Sequence, residues 1–412
     1  MNAGRKKSDE ADEEPGASAA SDPASEAPVP SVEATPELPE ACDVVIVGAG
    51  PAGLATALAA SGSPLDIVVI DERPGPTERP GVNTIAPRGL AWLADYGIAL
   101  DAVLARPARC EEVRLHLPDH GSWTRRPAEP VTRVSLSALE AAIEDLVEFP
   151  VHRRSRLLSA EPAEDGLNLR VKTPRGPKTL HTRRLVDASG RETLGPPRTH
   201  PEWRPDVMRL GPPRFVGRVR LEVHDDQAPA VEMRFERFCR AFFVSGEGQL
   251  VVELELSSDR LWASRWSEFL RFLTGPRGLR VKRESGATFV WQRRPQLQLV
   301  ADRVVRVGDA AGAGPVLGFG LAEALETGTA LGDRLAPATL DVLEDQVQDY
   351  DREARELLAH VIEEHGRGAR RRLDYGGFAD RIRLSDLFED AGFFARWGAR
   401  RACRSALSDW WL

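Results

Sequence analysis

The sequence predicts an α/β fold in which a parallel sheet, built from separated pieces of the chain, carries an inserted antiparallel sheet and a helical C-terminal region. Three observations lead there. Two short apolar strands run directly into glycine turns, Val44 to Val47 before Gly48 and Val304 to Val307 before Gly308. Between them, Phe215 to Val223, Val231 to Phe238, Ala241 to Val244 and Leu250 to Leu256 alternate as strands of an antiparallel sheet with one covered face do. From residue 340 to 412 the pattern is helical.

The first strand is β-branched without polar alternation, as in a parallel strand buried on both faces. Gly48-Ala49-Gly50-Pro51-Ala52-Gly53 follows at once. In such a turn Gly48 allows the bend, Gly50 lets the backbone approach a pyrophosphate, and Gly53 lets the next helix lie against the strand while its free N-terminal amides hold phosphate. Leu54 to Ala60 favours helix, and Ser61-Gly62-Ser63-Pro64 ends it. The strand Ile67 to Ile70 then delivers Asp71, about 20 residues on, the spacing of a carboxylate that accepts hydrogen bonds from a ribose hydroxyl. Glu72 takes that role if the register slips, and Arg73 beside them is a further cofactor-binding candidate. Strand, turn, helix, strand and acid in this order specify a dinucleotide site, without separating FAD from NAD.

The second strand ends at Gly308-Asp309, followed by small residues from Ala310 to Gly314 and then Pro315, Gly318 and Gly320. Such a stretch lets backbone amides and a helix start approach a flat, polar ligand. With both signatures, the chain after residue 40 resembles the superfamily of FAD-dependent oxidoreductases that includes aromatic hydroxylases, geranylgeranyl reductases and tryptophan-halogenase-like flavoproteins. The resemblance implies FAD as cofactor and a Rossmann-like FAD-binding domain of the glutathione-reductase type. It places Gly308 and Asp309 on the ribityl chain and pyrophosphate, and Pro315 to Gly320 beside the isoalloxazine. Pro315, Leu317 and Gly318 are thus the flavin-adjacent candidates for catalysis, and the helix after Gly314 is positioned to stabilise negative charge on the flavin or on oxygen.

Three further stretches fit. Thr84 to Leu93, with Tyr96-Gly97-Ile98, looks like the helix that follows the ribose-binding acid, and Arg88 in it is a candidate for a cofactor or substrate contact. Arg133 to Glu140 is similar to an arginine-led helix start whose guanidinium reaches the cofactor phosphates. Leu185 to Arg191 looks like the strand-to-turn signature near the adenosine half.

Departures from the resemblance narrow the chemistry. The flavin halogenases carry a catalytic lysine after the helix that resembles Thr84 to Ile98; Arg106 to Pro118 has arginines and Cys110 but no lysine, and an always-protonated arginine is a poor replacement. The Trp-x-Trp-x-Ile-Pro pattern of halogenases is missing too. Gly312 matches the geranylgeranyl reductases, whereas Gly314-Pro315-Val316-Leu317-Gly318 does not match their usual Asp-Pro-Leu-Thr-Gly. Cys42, Cys110, Cys239 and Cys403 are too scattered for a redox Cys-x4-Cys pair or a zinc site, so inert thiols and no metal are expected. No second strand-GxGxxG-helix unit is apparent, so electrons are expected from transiently bound NAD(P)H or from a separate reductase.

At 412 residues and 42% hydrophobic, the chain can bury a substantial core. A net charge of -8 gives no reason to expect nucleic acid as a partner. Four cysteines and the lack of an apolar N-terminal stretch make a cytoplasmic location the default. Residues 1–40 are an acidic, Ala/Pro/Ser-rich tail expected to be disordered. The expected FAD domain comprises 41–108, 131–205 and 299–335; the substrate domain comprises 109–130 and 206–298; a helical region spans 336–412. Arg240, Phe242 and Trp291 of the inserted sheet are candidates to line a substrate pocket. The C-terminal mixture of Phe388, Phe393, Phe394, Trp397 and arginines suits either packing on the cofactor domain, the simpler reading, or peripheral membrane contact. The expected activity is monooxygenation of a small organic or natural-product-like molecule through a flavin hydroperoxide, the alternatives being reduction or dehydrogenation of an isoprenoid or lipid, and flavin binding without turnover.

Overall fold

The computed structural model describes residues 37–359 except 78–80, 118–120, 127–129, 191–213, 225–228, 237–238, 247, 257–258, 277, 293–298 and 313–319. β1 (Ala41–Val47), α1 (Pro51–Ala59) and β2 (Ile67–Ile70) form the first βαβ unit. β3 (Thr84–Ile85), α2 (Pro87–Asp95), α3 (Leu100–Val103) and β4 (Leu104–Cys110) follow. Next come β5 (Glu112–Leu117), β6 (Gly121–Arg125), β7 (Val131–Val134), α4 (Leu136–Glu144) and β8 (Val151–His152). β9 (Arg156–Pro162), β10 (Leu167–Thr173) and β11 (Gly176–Asp187) make a meander. β12 (Arg214–His224), β13 (Ala230–Glu236), β14 (Cys239–Gly246), β15 (Gln249–Leu256), α5 (Trp262–Thr274) and β16 (Arg280–Gln292) build the inserted part. β17 (Val300–Ala301), β18 (Val304–Arg306), α6 (Leu321–Leu335) and α7 (Leu343–Leu357) complete the described elements.

The larger sheet runs β17-β18-β11-β1-β2-β8, with β10 and β9 hairpinned onto β11. β18, β11, β1, β2 and β8 are all parallel, which places β1 at the centre and explains its unbroken apolar run. Val44, Val45 and Ile46 are fully buried. One face is covered by α1 and α6. Their approach is unusually close: a Cβ on Gly328 would stand 2.3 Å from the Ala52 carbonyl oxygen, and one on Gly332 2.5 Å from that of Thr56. Ala55 and Ala59 complete the small-residue surface on α1. This crossing seats β18 and the Gly308 turn directly beside the turn after β1.

The inserted sheet runs β16-β12-β15-β14-β13-β5-β6. It is antiparallel except where β13 meets β5, because residues 112–125 join it from far upstream and enter beside β13 in the same direction. α5 covers one face, packing Trp266, Phe269 and Phe272 against Leu221, Phe243 and Leu254. On that face lies a buried polar cluster in which Glu232 accepts from Ser245 Oγ (2.7 Å) and Arg114 Nη1 (3.3 Å) and pairs with His116 Nε2 (2.7 Å). Three donors around one carboxylate offset the penalty of burying it.

A small sheet, β3-β7-β4, links the two. It corrects two expectations. Thr84 and Ile85 are not helical but pair with β7, and the helix starts at Pro87, whose missing N–H is harmless in a first turn. Arg133 lies inside β7 rather than at a helix start; the helix begins at Leu136, after Ser135 caps it by accepting from the Ala138 amide.

Residues 343–358 belong to the core of the parallel sheet rather than to a separate region. Leu343, Val347, Tyr350 and Ala354 pack into the α1–α6 core, the Tyr350 hydroxyl donates to the Arg306 carbonyl (2.7 Å), and Asp351 accepts from the Leu299 and Val300 amides. The aromatic and basic C-terminus and the acidic N-terminal tail lie outside the described residues. Cys42 and Cys110 are buried thiols outside any disulfide among the described residues, and burial pushes the Cys42 thiol up to about 12; the side chains of Cys239 and Cys403 are outside the described set. Among the described residues no helix is long and apolar enough to cross a membrane.

If the α1–α6 contact sets the fold, Gly332→Val should lower the unfolding free energy by about 1–3 kcal/mol, the usual range for overpacking. Urea denaturation measures it. An unchanged midpoint would contradict the contact.

Candidate dinucleotide site

The three glycines after β1 do different work. Gly48 has a φ of +108°, and a Cβ there would lie 2.4 Å from the Ala188 carbonyl oxygen; a Cβ on Gly53 would lie 1.9 Å from that of Gly48. Both are demanded by the chain's own packing. Gly50 is not. Among the described residues a Cβ there meets only Glu140 Oε1, at 3.8 Å, so the turn opens at this point onto space that those residues leave free. α1 starts immediately behind it with Pro51 in its first turn, no side-chain cap and no acidic residue, so the positive end of the helix faces that space. The arrangement suits an anionic, pyrophosphate-sized group.

The second signature comes to the same place. Gly308 has a φ of +57°, and a Cβ on it would stand 2.5 Å from the Ala52 Cβ. Its amide donates to Thr327 Oγ1 (3.0 Å) on α6, and Asp309 begins a short 3-10 turn over Gly308–Ala311. Gly48, Ala49, Gly50, Pro51, Ala52, Gly53, Gly308 and Asp309 are therefore gathered at one end of the parallel sheet. Gly320 is the N-cap of α6. Pro315, Leu317 and Gly318 lie outside the described residues.

At the other end of the turn, Asp71 is 5% exposed and accepts from the Ala49 amide at 2.6 Å. Glu72 points away and pairs with Arg156 at the surface, so the register favours Asp71. Arg73 is fully engaged. Its Nε donates to Asp71 Oδ1 (3.0 Å), its Nη2 to Asp71 Oδ2 and to the Ala49 carbonyl (both 2.9 Å), and its Nη1 to the two oxygens of Glu140 (3.1 and 2.9 Å). Arg153, paired with Glu144, lies 3.7 Å from Asp71. Burial alone would raise the Asp71 carboxyl; the hydrogen bonds and charge of Arg73, with the Ala49 amide, outweigh it and hold the group below the usual carboxylate range. Glu140 shifts the opposite way, raised by burial that Arg73 and the Thr77 amide offset only in part.

Two arginines are placed differently from the sequence reading. Arg133 is 3% exposed, and its Nη1 donates to the carbonyls of Arg106 (2.8 Å) and Pro107 (3.2 Å), which ties β7 to β4. Arg88 pairs with Glu323 and Glu326, so it fastens α2 to the first turn of α6.

Sequence reasoning missed Thr327, the Gly328/Gly332 pair, Glu140 and Arg306. A Gly-x-x-x-Gly spacing opposite an Ala-rich helix would have signalled the second. Glu140 stands on the apolar stripe of α4 between Leu136, Leu139 and Ile143, where a lone acid is out of place. Arg306 is 8% exposed below the Gly308 turn, and burial lowers its guanidinium from the ordinary value against the opposing charge of Asp187. Of the pocket candidates, Phe242 is 5% exposed and stands across from Glu253, which itself stands across from Arg218 on one sheet face. Glu253 pairs with Arg218 (3.2 Å) and accepts from the Val82 amide (3.0 Å), so this face turns toward the cofactor unit. The side chains of Arg240 and Trp291 are outside the described set.

Because a side chain at position 50 has room, Gly50→Glu should fold normally, shown by an unchanged circular dichroism melt, yet lose retention of FAD by placing a carboxylate against the pyrophosphate. Undiminished flavin absorbance in the purified variant would refute the placement of that glycine.

Comparison with known proteins agrees with this geometry. Residues 43–198 match the family model described as FAD dependent oxidoreductase. A phenol 2-monooxygenase from Aspergillus fumigatus is 41% identical over 76 residues, 18% of this chain and only 13% of that protein. Among solved structures, a geranylgeranyl bacteriochlorophyll reductase-like protein from Thermoplasma acidophilum superposes with a TM-score of 0.67 at 14% identity, covering 90% of this chain and 99% of that one. The flavin-dependent halogenase CmlS gives 0.61 at 16% identity, covering 88% and 71%. A p-nitrophenol 4-monooxygenase from Pseudomonas putida gives 0.58 at 19%, covering 83% and 94%. The chain thus carries an FAD-dependent oxidoreductase domain within the fold shared by geranylgeranyl-reductase-like proteins, flavin-dependent halogenases and aromatic monooxygenases.

Proposed function

We propose that this protein is an FAD-dependent monooxygenase acting on a small, ring-bearing organic substrate. The observation that carries the reading is the inserted-sheet face on which Phe242, Glu253 and Arg218 stand side by side across β14, β15 and β12, turned toward the cofactor unit through the Glu253–Val82 contact. An aromatic side chain next to an acid–base pair, with Val216, Val244 and Val251 buried around it and the exposed Arg220, Glu222 and Gln249 on the same face, suits a flat molecule carrying a polar substituent. The sequence match to a phenol 2-monooxygenase supports the same chemistry.

In this reading Gly50, the amides at the start of α1, Asp71 and Asp309 hold the cofactor, which when bound supplies electron transfer and oxygen activation. The chain's own contribution is placement. The N-terminal end of α6, behind Gly320, favours negative charge near the ring, and Glu323 in that first turn is balanced by Arg88. The inserted sheet, as a roof over the reacting centre, limits its access to water. Electrons come from NAD(P)H or from a separate reductase. Halogenation ranks last, since Arg106 to Pro118 contains no lysine.

A second reading, reduction or dehydrogenation of an isoprenoid or other lipid, draws on the near-complete coverage of the geranylgeranyl bacteriochlorophyll reductase-like fold and on Gly312. One experiment separates the readings. The flavin is reduced anaerobically with NADH or NADPH in the presence of phenols and of isoprenoid alcohols, and labelled dioxygen is then admitted. Incorporation of one labelled oxygen atom into a phenol supports monooxygenation. Saturation of an isoprenoid without label incorporation would overturn it.

A further inference from the structure

Glu140 is a carboxylate with 1% exposure on the apolar stripe of α4; its hydrogen bonds tie it to Asp71 through Arg73, and its Oε1 lies 3.8 Å from where a Cβ on Gly50 would stand. The hydrogen bonds around Asp71 show why this matters. A carboxylate offers about four lone-pair directions. At Asp71 these are met by the Ala49 amide and Arg73 Nη2 on Oδ2, and by the Arg73 amide and Nε on Oδ1. A ribose hydroxyl can donate to Asp71 only where Arg73 withdraws. Arg73 in turn has its five N–H groups committed to Asp71, the Ala49 carbonyl and Glu140, so a partial withdrawal leaves its charge buried unless another carboxylate holds it. Glu140 is that carboxylate. It is itself anchored by the Thr77 amide at 2.7 Å and does not depend on Asp71 for its place.

We propose that Glu140 is a positioning residue for the adenosine half of the cofactor: it keeps Arg73 when Asp71 turns to the ribose, and so determines how strongly the site reads ribose hydroxyls. Its action runs through Arg73. With Glu140 neutralised, Asp71 becomes the main counter-charge for the guanidinium, and Arg73 stays on the carboxylate that the ribose must reach. The other charges facing this cluster are Arg153, 3.7 Å from Asp71, and Glu144, which pairs with Arg153. They remain in place in the test. The proposal rests on the reading of Asp71 as the ribose-binding acid.

The test uses ADP and 2′,3′-dideoxy-ADP as probes, bound to the full-length apoprotein and followed by calorimetry. Wild-type protein should prefer ADP by about tenfold or more, the effect of hydrogen bonds to a charged group. Glu140→Gln, which keeps the shape of the side chain, should reduce that preference to about twofold or less. In an Arg73→Met background, Glu140→Gln should leave the preference unchanged, since Arg73 no longer competes for Asp71. A merely structural defect weakens both probes together and preserves the ratio, which would overturn the proposal. So would the same loss of preference from Glu140→Gln with and without Arg73. Should Glu140→Gln fail to fold, Arg73→Met alone decides: it should retain the preference for ADP, and its loss there contradicts competition at Asp71. If wild-type protein shows no preference for ADP at all, the assignment of Asp71 itself fails, an outcome distinct from failure of Glu140.

Discussion

The close crossing of α1 and α6 is the contact on which the rest of the molecule depends. Two glycines on α6 and an alanine-rich face on α1 bring the helices within a distance that any larger side chain would prevent. Because α1 starts at the first glycine turn and α6 leads away from the second, their approach fixes how those turns meet, with Gly308 against Ala52. Packing of backbone on backbone here is rigid in a way that a leucine interface is not, since neither side has rotamers to adjust. A dinucleotide lying across both turns would need that rigidity, because the turns are separated by some 260 residues of chain, a span read from Gly48 to Gly308.

Charge is handled in a second, equally local manner. Among the described residues only Glu140 comes within 4 Å of a Cβ placed on Gly50, and the space there faces a helix start, which favours an anion. Just beside it, Asp71 and Glu140 would oppose one, were they not bound to Arg73, with Arg153 close by. The guanidinium thus neutralises two buried carboxylates beside that space while holding them in fixed orientations.

The parallel core was legible in the sequence because β-branched strands, glycine turns and the acid at Asp71 are each forced by local chemistry. The inserted sheet was legible from alternation, but its edge was not: β5 joins β13 from far upstream, and no local pattern encodes a partner at that distance. Arg133 was placed at a helix start because the arginine-led pattern resembles one; Ser135 is the better cap and wins the boundary. Arg88 pairs with Glu323 and Glu326 on α6, partners that no local pattern around Arg88 encodes. Glu140 is not legible in the sequence, because an acid among leucines is informative only once the arginine it meets, 67 residues earlier, is known.

Whether both signatures close around one cofactor is tested by a titration of the apoprotein with FAD followed by flavin fluorescence. The account predicts saturation at one FAD per chain, with tight binding lost on substitution of either Gly50 or Asp309. Apoprotein that cannot be reconstituted with FAD, or that binds it equally well when Asp309 is replaced by alanine, would contradict the joint site.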